Sequence, residues 1–569
     1  MYLQNKLVMM IRLYTCIFVF LLNILGSEEL KPDLTIMVPM RDGVSLPTDL
    51  YLPTPEARNL PCILIRSPAG RDSTWKSFAS MAKAGYVIAI QDTRSVLDLE
   101  GKTFPFLSDG WGKLQDGYDA VEWLAKSPYT NGKIGTWGSS AVGITQLLLA
   151  PTQPPHLVCQ YIIVAAASLY HHGLFPGGLL LKHQAESWLG YYARDTGVLN
   201  YVSQRPFYNE FWKQLNTSEM AHRVKIPGML VAGWYDTFLQ GTLDAFEARQ
   251  REGEEGAKGK QKLIIGPWTH FWPLSNHFGD FKIPVAGENP PMDISPKRWF
   301  DHYLKGEVNE VESLPPILYY VMGPFDGSTS SGNIWRTSEV WPVPTVATAF
   351  YLTSQHTLQQ TPPSLGLLAY TYDPTNPIPT RGGRNLFLES GPVDQQNIEK
   401  RKDILVFTTH PLKEDLEITG KLSAKLFVSS DQQDSDIVVH LTDVYPDGKS
   451  VLISEGGIRL GVFCYQNDSK IDLKPGQPIE VDLDLWSTSL VFAKGHSIRI
   501  SISSSNYPRY EKNLNVGLIG SQRGEFKSAH NTIYMGEKYP SQLILPVVRK
   551  GETWLTREQP SVKPMENSL

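Results

Sequence analysis

Residues 134–146 read Ile134-Gly135-Thr136-Trp137-Gly138-Ser139-Ser140-Ala141-Val142-Gly143-Ile144-Thr145-Gln146, an apolar approach followed by a glycine-flanked serine and the start of a helix. This pattern predicts a strand that turns sharply into a helix and holds the Ser140 oxygen out of the backbone, as in a nucleophile elbow. Glycines two before and three after the serine fit, because larger side chains would collide in so tight a turn. Val142 departs from the usual pattern, which has glycine at that position.

The segments around this stretch alternate between short apolar runs and helical periods. Runs at 62–66, 86–92 and 157–167 are typical of strands buried on both faces, and residues 77–83 and 120–126 have helical spacing. Such alternation predicts a mainly parallel sheet covered by helices on both sides. Ligands of such sheets bind at the carboxyl ends of the strands, where the predicted elbow lies.

Two later strand ends carry an acid and a histidine. Asp236 follows the apolar run 228–233, and His270 follows the run 262–266. Serine, then acid, then histidine is the chain order of the α/β-hydrolases. A serine hydroxyl becomes a good nucleophile when an imidazole takes its proton, and the carboxylate fixes the tautomer of that imidazole. Asp244 is the rival acid, but it falls inside a predicted helix.

Length and composition predict several domains. At 569 residues the chain exceeds one hydrophobic core. Its changing patterns predict a signal peptide at 1–27, a hydrolase domain at 28–167 and 222–340, and a helical cap at 168–221. Short strands with turn residues predict a β-sandwich at 341–569.

The N-terminus resembles an export signal, since Lys6 and Arg12 precede an apolar run at 13–25. Cleavage near Gly26 or Ser27 would give a secreted or periplasmic protein with no stable membrane span, and an uncleaved anchor is the alternative. A net charge of −5 provides no basic surface for nucleic acid. The four cysteines lack metal-site spacing, and we expect neither a metal nor a cofactor.

Several further stretches carry a family resemblance. They are Arg41-Asp42-Gly43-Val44, Gln91-Asp92-Thr93-Arg94, residues 116–123, the elbow, Gly233-Trp234-Tyr235-Asp236, Gly266-Pro267-Trp268-Thr269-His270, residues 299–306, residues 443–448 and residues 503–509. From about residue 34 to 550 the chain resembles the cocaine esterase-like hydrolases, which include α-amino-acid ester hydrolases and are related to X-Pro dipeptidyl-peptidases. The resemblance implies an α/β-hydrolase domain with a helical cap insertion, followed by an all-β jelly-roll (galactose-binding-like) domain. It implies Ser140, Asp236 and His270 as the catalytic triad and the Ala141 amide as an oxyanion donor.

One departure from the family concerns the oxyanion hole. The family pattern Arg-x-Pro-Tyr supplies a tyrosine hydroxyl, whereas this chain has Ala69 after Arg66-Ser67-Pro68. Loss of one donor typically costs about 3–4 kcal/mol. We therefore expect the Gly70 amide or a side chain such as Trp75 or Tyr235 to replace it, or turnover to be slow.

We expect a serine hydrolase that cleaves esters or amides through an acyl-enzyme. An exopeptidase that releases X-Pro dipeptides remains an alternative, with Glu186 or Asp195 as acids for the substrate's amino group. A ligand- or carbohydrate-binding protein with an impaired hydrolase domain is the alternative from another class. Trp75, Trp234 and Tyr235 are further candidates for substrate contact, and a homo-oligomer remains open.

Overall fold

The computed structural model describes residues 31–549, except 73, 97–103, 195–196, 273–276, 280, 467–473 and 518–522. The predicted signal peptide lies outside this part of the chain. Within these ranges, no helix combines the length and the apolar character needed to cross a bilayer.

The first part of the chain alternates strands with helices. Its strands are β1 (Leu34–Pro39), β2 (Ser45–Tyr51), β3 (Leu60–Ser67), β4 (Val87–Asp92), β5 (Thr130–Ser139), β6 (Leu157–Ile163), β7 (Gly228–Tyr235), β8 (Lys262–Thr269), β9 (His277–Phe278), β10 (Phe281–Lys282), β11 (Ile317–Val321) and β12 (Ile334–Ser338). Its α-helices are α1 (Asp116–Ala125), α2 (Ala141–Leu149), α3 (Lys182–Gln184), α4 (Gly190–Ala193), α5 (Gly197–Ser203), α6 (Glu210–Lys213), α7 (Leu239–Glu252), α8 (Val285–Glu288) and α9 (Pro296–Lys305). Its 3₁₀ or π-helical turns are Thr74–Ala84, Arg94–Val96, Ala150–Thr152, Leu169–Leu174, Pro176–Gly178, Ala185–Leu189 and Ser218–Arg223.

Ten of these strands form one sheet in the order β1-β2-β4-β3-β5-β6-β7-β8-β11-β12. Each neighbouring pair from β4 to β11 is parallel, and antiparallel strands flank them on both edges. Every residue of β4, β7 and β8 is buried, since helices cover both faces. The predicted parallel sheet is confirmed, although β6 ends at Ile163, four residues before the predicted strand end.

The cap inserts between β6 and β7. Its described residues hold helical turns and no strand beyond an isolated bridge between Ser168 and Asn216. Within the cap, α3 begins at Lys182 and continues through a π-helical turn into α4. Trp212 is fully buried, whereas Tyr191 is exposed, so the cap aromatics serve partly as core and partly as surface.

The C-terminal part consists of two antiparallel sheets, in the orders β14-β13-β23-β17-β22-β15 (with β20 on β17) and β16-β21-β18-β19. Its elements are β13 (Val346–Leu352), β14 (Leu358–Gln359), β15 (Gly366–Tyr372), β16 (Leu405–Thr408), β17 (Leu416–Ser430), β18 (Asp436–Val444), β19 (Ser450–Arg459), α10 (Leu460–Gln466), β20 (Ile479–Phe492), β21 (Ser497–Ser503), β22 (Ala529–Met535) and β23 (Gln542–Val547). The expected α/β-hydrolase fold with an all-β domain is therefore present.

A buried ion-pair network joins the edge of the sheet to α1. The Arg94 guanidinium donates to both oxygens of fully buried Asp116 at 2.7 and 2.8 Å, and to both oxygens of Asp42 at 2.8 and 2.9 Å. These contacts raise the pKa of Arg94, the hydrogen bond to Asp116 being the main cause. Motif residues quoted above thus fix the first helix rather than contact a substrate.

We predict that Arg94→Met lowers stability by about 3–5 kcal/mol, because it leaves the Asp116 carboxylate buried without its cation. The half-exposed pair of Arg41 with Asp119 provides the control, and Arg41→Met should cost no more than about 1 kcal/mol. Urea unfolding midpoints measure both, and equal losses would contradict the role given to Arg94.

Candidate active site

Ser140 lies at the junction of β5 and α2 with φ 58° and ψ −126°. This left-handed conformation is strained for a residue with a side chain and persists only where neighbours impose it. The Ser140 amide donates to the Ile163 carbonyl at 2.9 Å, and its carbonyl accepts from Gly143 and Ile144, both at 2.9 Å. The backbone is thus fixed on both sides, and the side chain projects from the turn.

The two glycines of the elbow are required by contact. A Cβ atom at Gly138, where φ is 150°, would lie 2.3 Å from Cγ1 of Val142. A Cβ atom at Gly143 would lie 2.7 Å from that of Ala165 on the neighbouring segment. Val142 therefore occupies the space that Gly138 leaves, which explains how this elbow tolerates valine where the usual pattern has glycine.

Two polar residues of the otherwise apolar helix α2 secure the turn. The Gln146 side-chain amide donates to the Gly138 carbonyl at 3.2 Å and accepts from the Thr136 hydroxyl at 2.8 Å. The Thr145 hydroxyl donates to the Arg66 carbonyl at 3.1 Å, which ties the helix to the end of β3. The roles of Gln146 and Thr145 were not predicted from the sequence, although polar residues within an otherwise apolar helix indicate such contacts.

The predicted triad residues meet at the carboxyl ends of three strands. His270 Nδ1 lies 2.5 Å from Asp236 Oδ1, and His270 Nε2 lies 2.9 Å from Ser140 Oγ. Asp236 is fully buried, and its second oxygen accepts from the Phe238 amide at 2.8 Å. A carboxylate held this way keeps the proton on Nδ1, so Nε2 can accept from the serine hydroxyl.

The rival acid, Asp244, belongs to a different cluster. It lies on α7, where its carboxylate accepts from His172 at 3.0 Å and from Gln240 at 2.7 Å. Among the described residues, no group of three or more His, Cys, Asp or Glu side chains is placed to hold a metal ion.

The surroundings of the predicted oxyanion hole differ from expectation at Gly70. The Ala141 amide opens α2, so it has no acceptor within the helix. The Gly70 amide donates to the Ser67 carbonyl at 3.4 Å, and the Ser67 hydroxyl donates to the Gly70 carbonyl at 3.0 Å. Gly70 is therefore engaged in a local turn. Trp75 lies in the Thr74–Ala84 turn, and its side chain falls outside the described part.

The structure places three expected substrate contacts elsewhere. Trp234 is buried and donates to the Tyr320 carbonyl at 2.7 Å, and the buried Tyr235 hydroxyl donates to the Leu452 carbonyl at 3.1 Å. Trp234 bonds to β11 and Tyr235 bonds to β19. Both side chains are buried because β7 is enclosed on both faces. Glu186 is half-exposed and paired with Lys182, as an ordinary surface acid would be. Asp195 lies outside the described residues.

Aromatic rings surround His270 instead. The rings of Phe238 and Phe271 lie 5.5 and 5.6 Å from the imidazole, and Trp188 packs on Phe238 at 5.5 Å. Phe387 of the β domain lies 6.1 Å from Phe271 and is 43% exposed. The position of these three phenylalanines near His270 was not predicted from the sequence. Phe238 and Phe271 follow the predicted acid and histidine closely in the chain, whereas Phe387 arrives only through domain packing.

Comparisons with known proteins agree with this geometry. A family model described as "X-Pro dipeptidyl-peptidase (S15 family)" matches residues 42–191 and 182–272, and one for the "X-Pro dipeptidyl-peptidase C-terminal non-catalytic domain" matches 309–544. The chain belongs to this family. A cocaine esterase from Rhodococcus sp. (strain MB1 Bresler) is 30% identical, over 90% of this chain and 98% of that protein. The chain is accordingly a serine hydrolase.

Solved structures show the same fold in this family. An aminopeptidase from the marine sediment archaeon Thaumarchaeota archaeon superposes with a TM-score of 0.77 at 22% identity, covering 92% of this chain and 98% of that one. An α-amino acid ester hydrolase superposes with a TM-score of 0.76 at 22% identity and the same coverage. The α/β sheet, the cap and the β domain thus recur together.

We predict that Gly138→Ala destabilises the protein by about 1–3 kcal/mol and lowers turnover, because its Cβ overlaps Val142. Adding Val142→Gly should restore part of both, since it removes the atoms in contact. Gly112→Ala is the control, because a Cβ there meets nothing within 4 Å. Melting temperatures and ester kinetics measure the effect. If Val142→Gly restored neither stability nor turnover, overlap with Val142 would not be the cause of the loss.

Proposed function

We propose that this hydrolase is an esterase that cleaves carboxylic esters with an apolar acyl group through an acyl-enzyme on Ser140. The observation that carries the proposal is the hydrogen-bonded series Ser140–His270–Asp236 set among aromatic rings. The cocaine esterase relative supports the ester substrate.

The geometry supports the following reaction. His270 Nε2 takes the proton from Ser140 Oγ as that oxygen attacks the ester carbonyl, and the imidazolium then protonates the departing alcohol. Water next attacks the acyl-enzyme while His270 removes its proton, and the imidazolium returns that proton to Ser140 Oγ as the bond between the acyl carbon and Oγ breaks and the acid is released. Asp236 does not exchange the proton, but it orients the imidazole and stabilises its charged form.

The oxyanion hole is the incomplete part of this mechanism. The Ala141 amide lies directly after the nucleophile, where a donor to the tetrahedral intermediate is needed. Ala69 provides no side-chain donor, and the Gly70 amide is engaged with Ser67. Esters tolerate a weak hole better than amides, because their carbonyl is more electrophilic and their leaving group better. This is a second argument for an esterase over a peptidase.

An X-Pro dipeptidyl-peptidase is the second candidate, favoured by the family match. Such an activity requires an acid that binds the free amino group of the peptide. Of the two acids that the sequence predicts for this role, Glu186 is paired with Lys182 at the surface, and Asp195 lies outside the described residues. The rings of Phe238 and Phe271 beside His270 favour an uncharged acyl group instead.

The test compares substrates that differ only in the amino group. We expect faster hydrolysis of phenylacetic acid methyl ester than of phenylglycine methyl ester, and little release of p-nitroaniline from Gly-Pro-p-nitroanilide. The kcat/KM values decide the matter. Preference for the amino ester or for the X-Pro anilide would overturn the proposal.

We predict that Ser140→Ala and His270→Ala each reduce kcat by about 10⁴-fold or more, and that the double variant loses little beyond either one. Asp236→Asn should cost about 10⁴-fold with the fold intact, because it favours the wrong tautomer. Ser139→Ala and Asp244→Asn are the controls and should keep near-normal kcat. Covalent labelling by a fluorophosphonate provides a second readout, and label on Ser139 would refute the triad.

We predict that Ala69→Tyr raises kcat on p-nitrophenyl esters by about ten-fold or more, equivalent to at least ~1.4 kcal/mol, with little change in KM. The reason is the hydroxyl that it adds to the oxyanion hole. Ala69→Phe adds the same ring without the hydroxyl and should give no gain. A folded Ala69→Tyr that is no faster would show that another donor already fills the hole.

A further inference from the structure

A polar cavity of about 290 Å³ lies where the cap, helix α7 and the β domain meet. The cap contributes His172, Asn216 and Ser218, helix α7 contributes Asp244, and the β domain contributes Glu455 and Trp486, among others. None of the triad residues lines it. Its volume is close to the lower end of the ~300–1,000 Å³ found for ligand pockets.

Several buried polar atoms of this cavity are unsatisfied. Within the described part of the chain, Oε2 of Glu455, Nε of Arg509, Oδ1 of Asn216 and Oγ of Ser218 have no hydrogen-bond partner. Glu455, Arg509 and Asn216 are 3%, 4% and 6% exposed. A buried polar atom left unpaired costs about 1–3 kcal/mol, so three of them around one space indicate an occupant that supplies partners.

Four charged side chains of the cavity form two ion pairs, and the remaining acid, Asp244, accepts from His172 and Gln240 through its two oxygens. Lys421 pairs with Asp484 at 2.9 Å, and a guanidinium nitrogen of Arg509 lies 3.4 Å from Glu455 Oε1. A ligand with a net charge would have to break one of these ion pairs or displace a hydrogen-bond donor from Asp244.

The histidines of the cavity add no free charge. His172 accepts from the Ser168 amide through Nδ1 and donates to Asp244 through Nε2, which is the arrangement of a neutral ring. Burial lowers the pKa of His171 to about 4, so it is neutral at ordinary pH. The unpaired atoms include acceptors and a donor, and an uncharged ligand whose groups both donate and accept would satisfy them.

Trp486 lines the cavity and has an unusual backbone. The Arg384 guanidinium lies 5.0 Å from its ring centroid, so a ligand would have to stack on the opposite face. The Trp486 φ of 63° is rare for a bulky residue, and an Asp484 side-chain oxygen, accepting from the Trp486 amide at 2.7 Å, holds it there. Such strain clusters at active sites, ligand clamps and switch regions. An indole ring stacks well on the C–H face of a pyranose, whose hydroxyl groups point outward to polar partners.

We propose that this cavity binds one neutral sugar ring, either a free monosaccharide or the end of a glycoside. The ring packs on Trp486, and its hydroxyls pair with Glu455, Arg509, Asn216 and Ser218. Because the cavity joins the cap to helix α7, which follows Asp236 in the chain, occupancy would hold the cap against the two other domains. The proposal does not depend on the esterase activity.

The test is isothermal titration calorimetry of the full chain with methyl glucoside and methyl galactoside. Glucosamine and glucuronate are the charged controls. We expect at least one neutral glycoside to bind and the charged sugars to bind at least ten-fold more weakly. Preference for a charged sugar, or no heat from either glycoside at millimolar concentration, would overturn the proposal and leave the cavity to water.

Two variants locate the binding. Ser218→Phe fills the cavity and Glu455→Gln changes an unpaired acceptor, and each should weaken glycoside binding at least ten-fold. Where Ser218→Phe fails to fold, Glu455→Gln carries the comparison. Ser140→Ala should bind as the unaltered protein does. Unchanged binding in Glu455→Gln, or its loss in Ser140→Ala, would place the ligand elsewhere and refute the assignment.

Discussion

The strained backbone of Ser140 is the constraint on which the rest of the site depends. Its φ of 58° brings the side chain out of the sheet, but a residue with a Cβ adopts it only at a cost of about 1–3 kcal/mol. Hydrogen bonds to β6 and to the first turn of α2 supply the compensation, and the fit of Val142 over Gly138 leaves no room for the turn to relax. Ser140 is positioned by packing on both sides of the turn.

Asp236 is held by a different means, through a strand that also contacts the neighbouring domain. Asp236 directly follows β7. The two residues before it are anchored by hydrogen bonds, Trp234 to the Tyr320 carbonyl and Tyr235 to the Leu452 carbonyl. The second of these bonds crosses to β19 of the C-terminal domain. The β domain thus contacts Tyr235, which directly precedes Asp236, and its Phe387 lies 6.1 Å from Phe271, which directly follows His270. A hydrolase domain without it would lose both contacts, which is a physical reason for the two parts to occur in one chain.

The sequence predicted what depends on local pattern and on strand order. The elbow, the parallel strands and the placement of Asp236 and His270 follow from apolar periods and from the rule that strand ends meet on one edge, and the structure brings these residues together. The sequence could not predict contacts that are made by packing between domains. Trp234 and Tyr235 were predicted as site residues because they adjoin Asp236. Consecutive side chains of β7 point to opposite faces of the sheet, and because both faces are covered, both side chains lie in the core. Phe387 is distant in sequence from every motif, so only the folded β domain reveals it.

The loop that carries Ala69 has well-defined backbone and ion-pair contacts, although it lacks the tyrosine hydroxyl of the family pattern. Arg66 donates to Gln91 at 2.8 Å and pairs with fully buried Asp109, and its carbonyl accepts from Thr145 of helix α2. Burial raises the pKa of Asp109 to about 6, an effect that the Arg66 guanidinium opposes. Arg66 therefore fixes the end of β3 beside the elbow, whichever residue stands at position 69. The missing phenol then leaves the path of the backbone intact and removes only a donor. Under the proposed mechanism, a loss of this kind would weaken transition-state binding without loosening the Ser140–His270–Asp236 hydrogen bonds, and it would favour the more reactive carbonyl substrates.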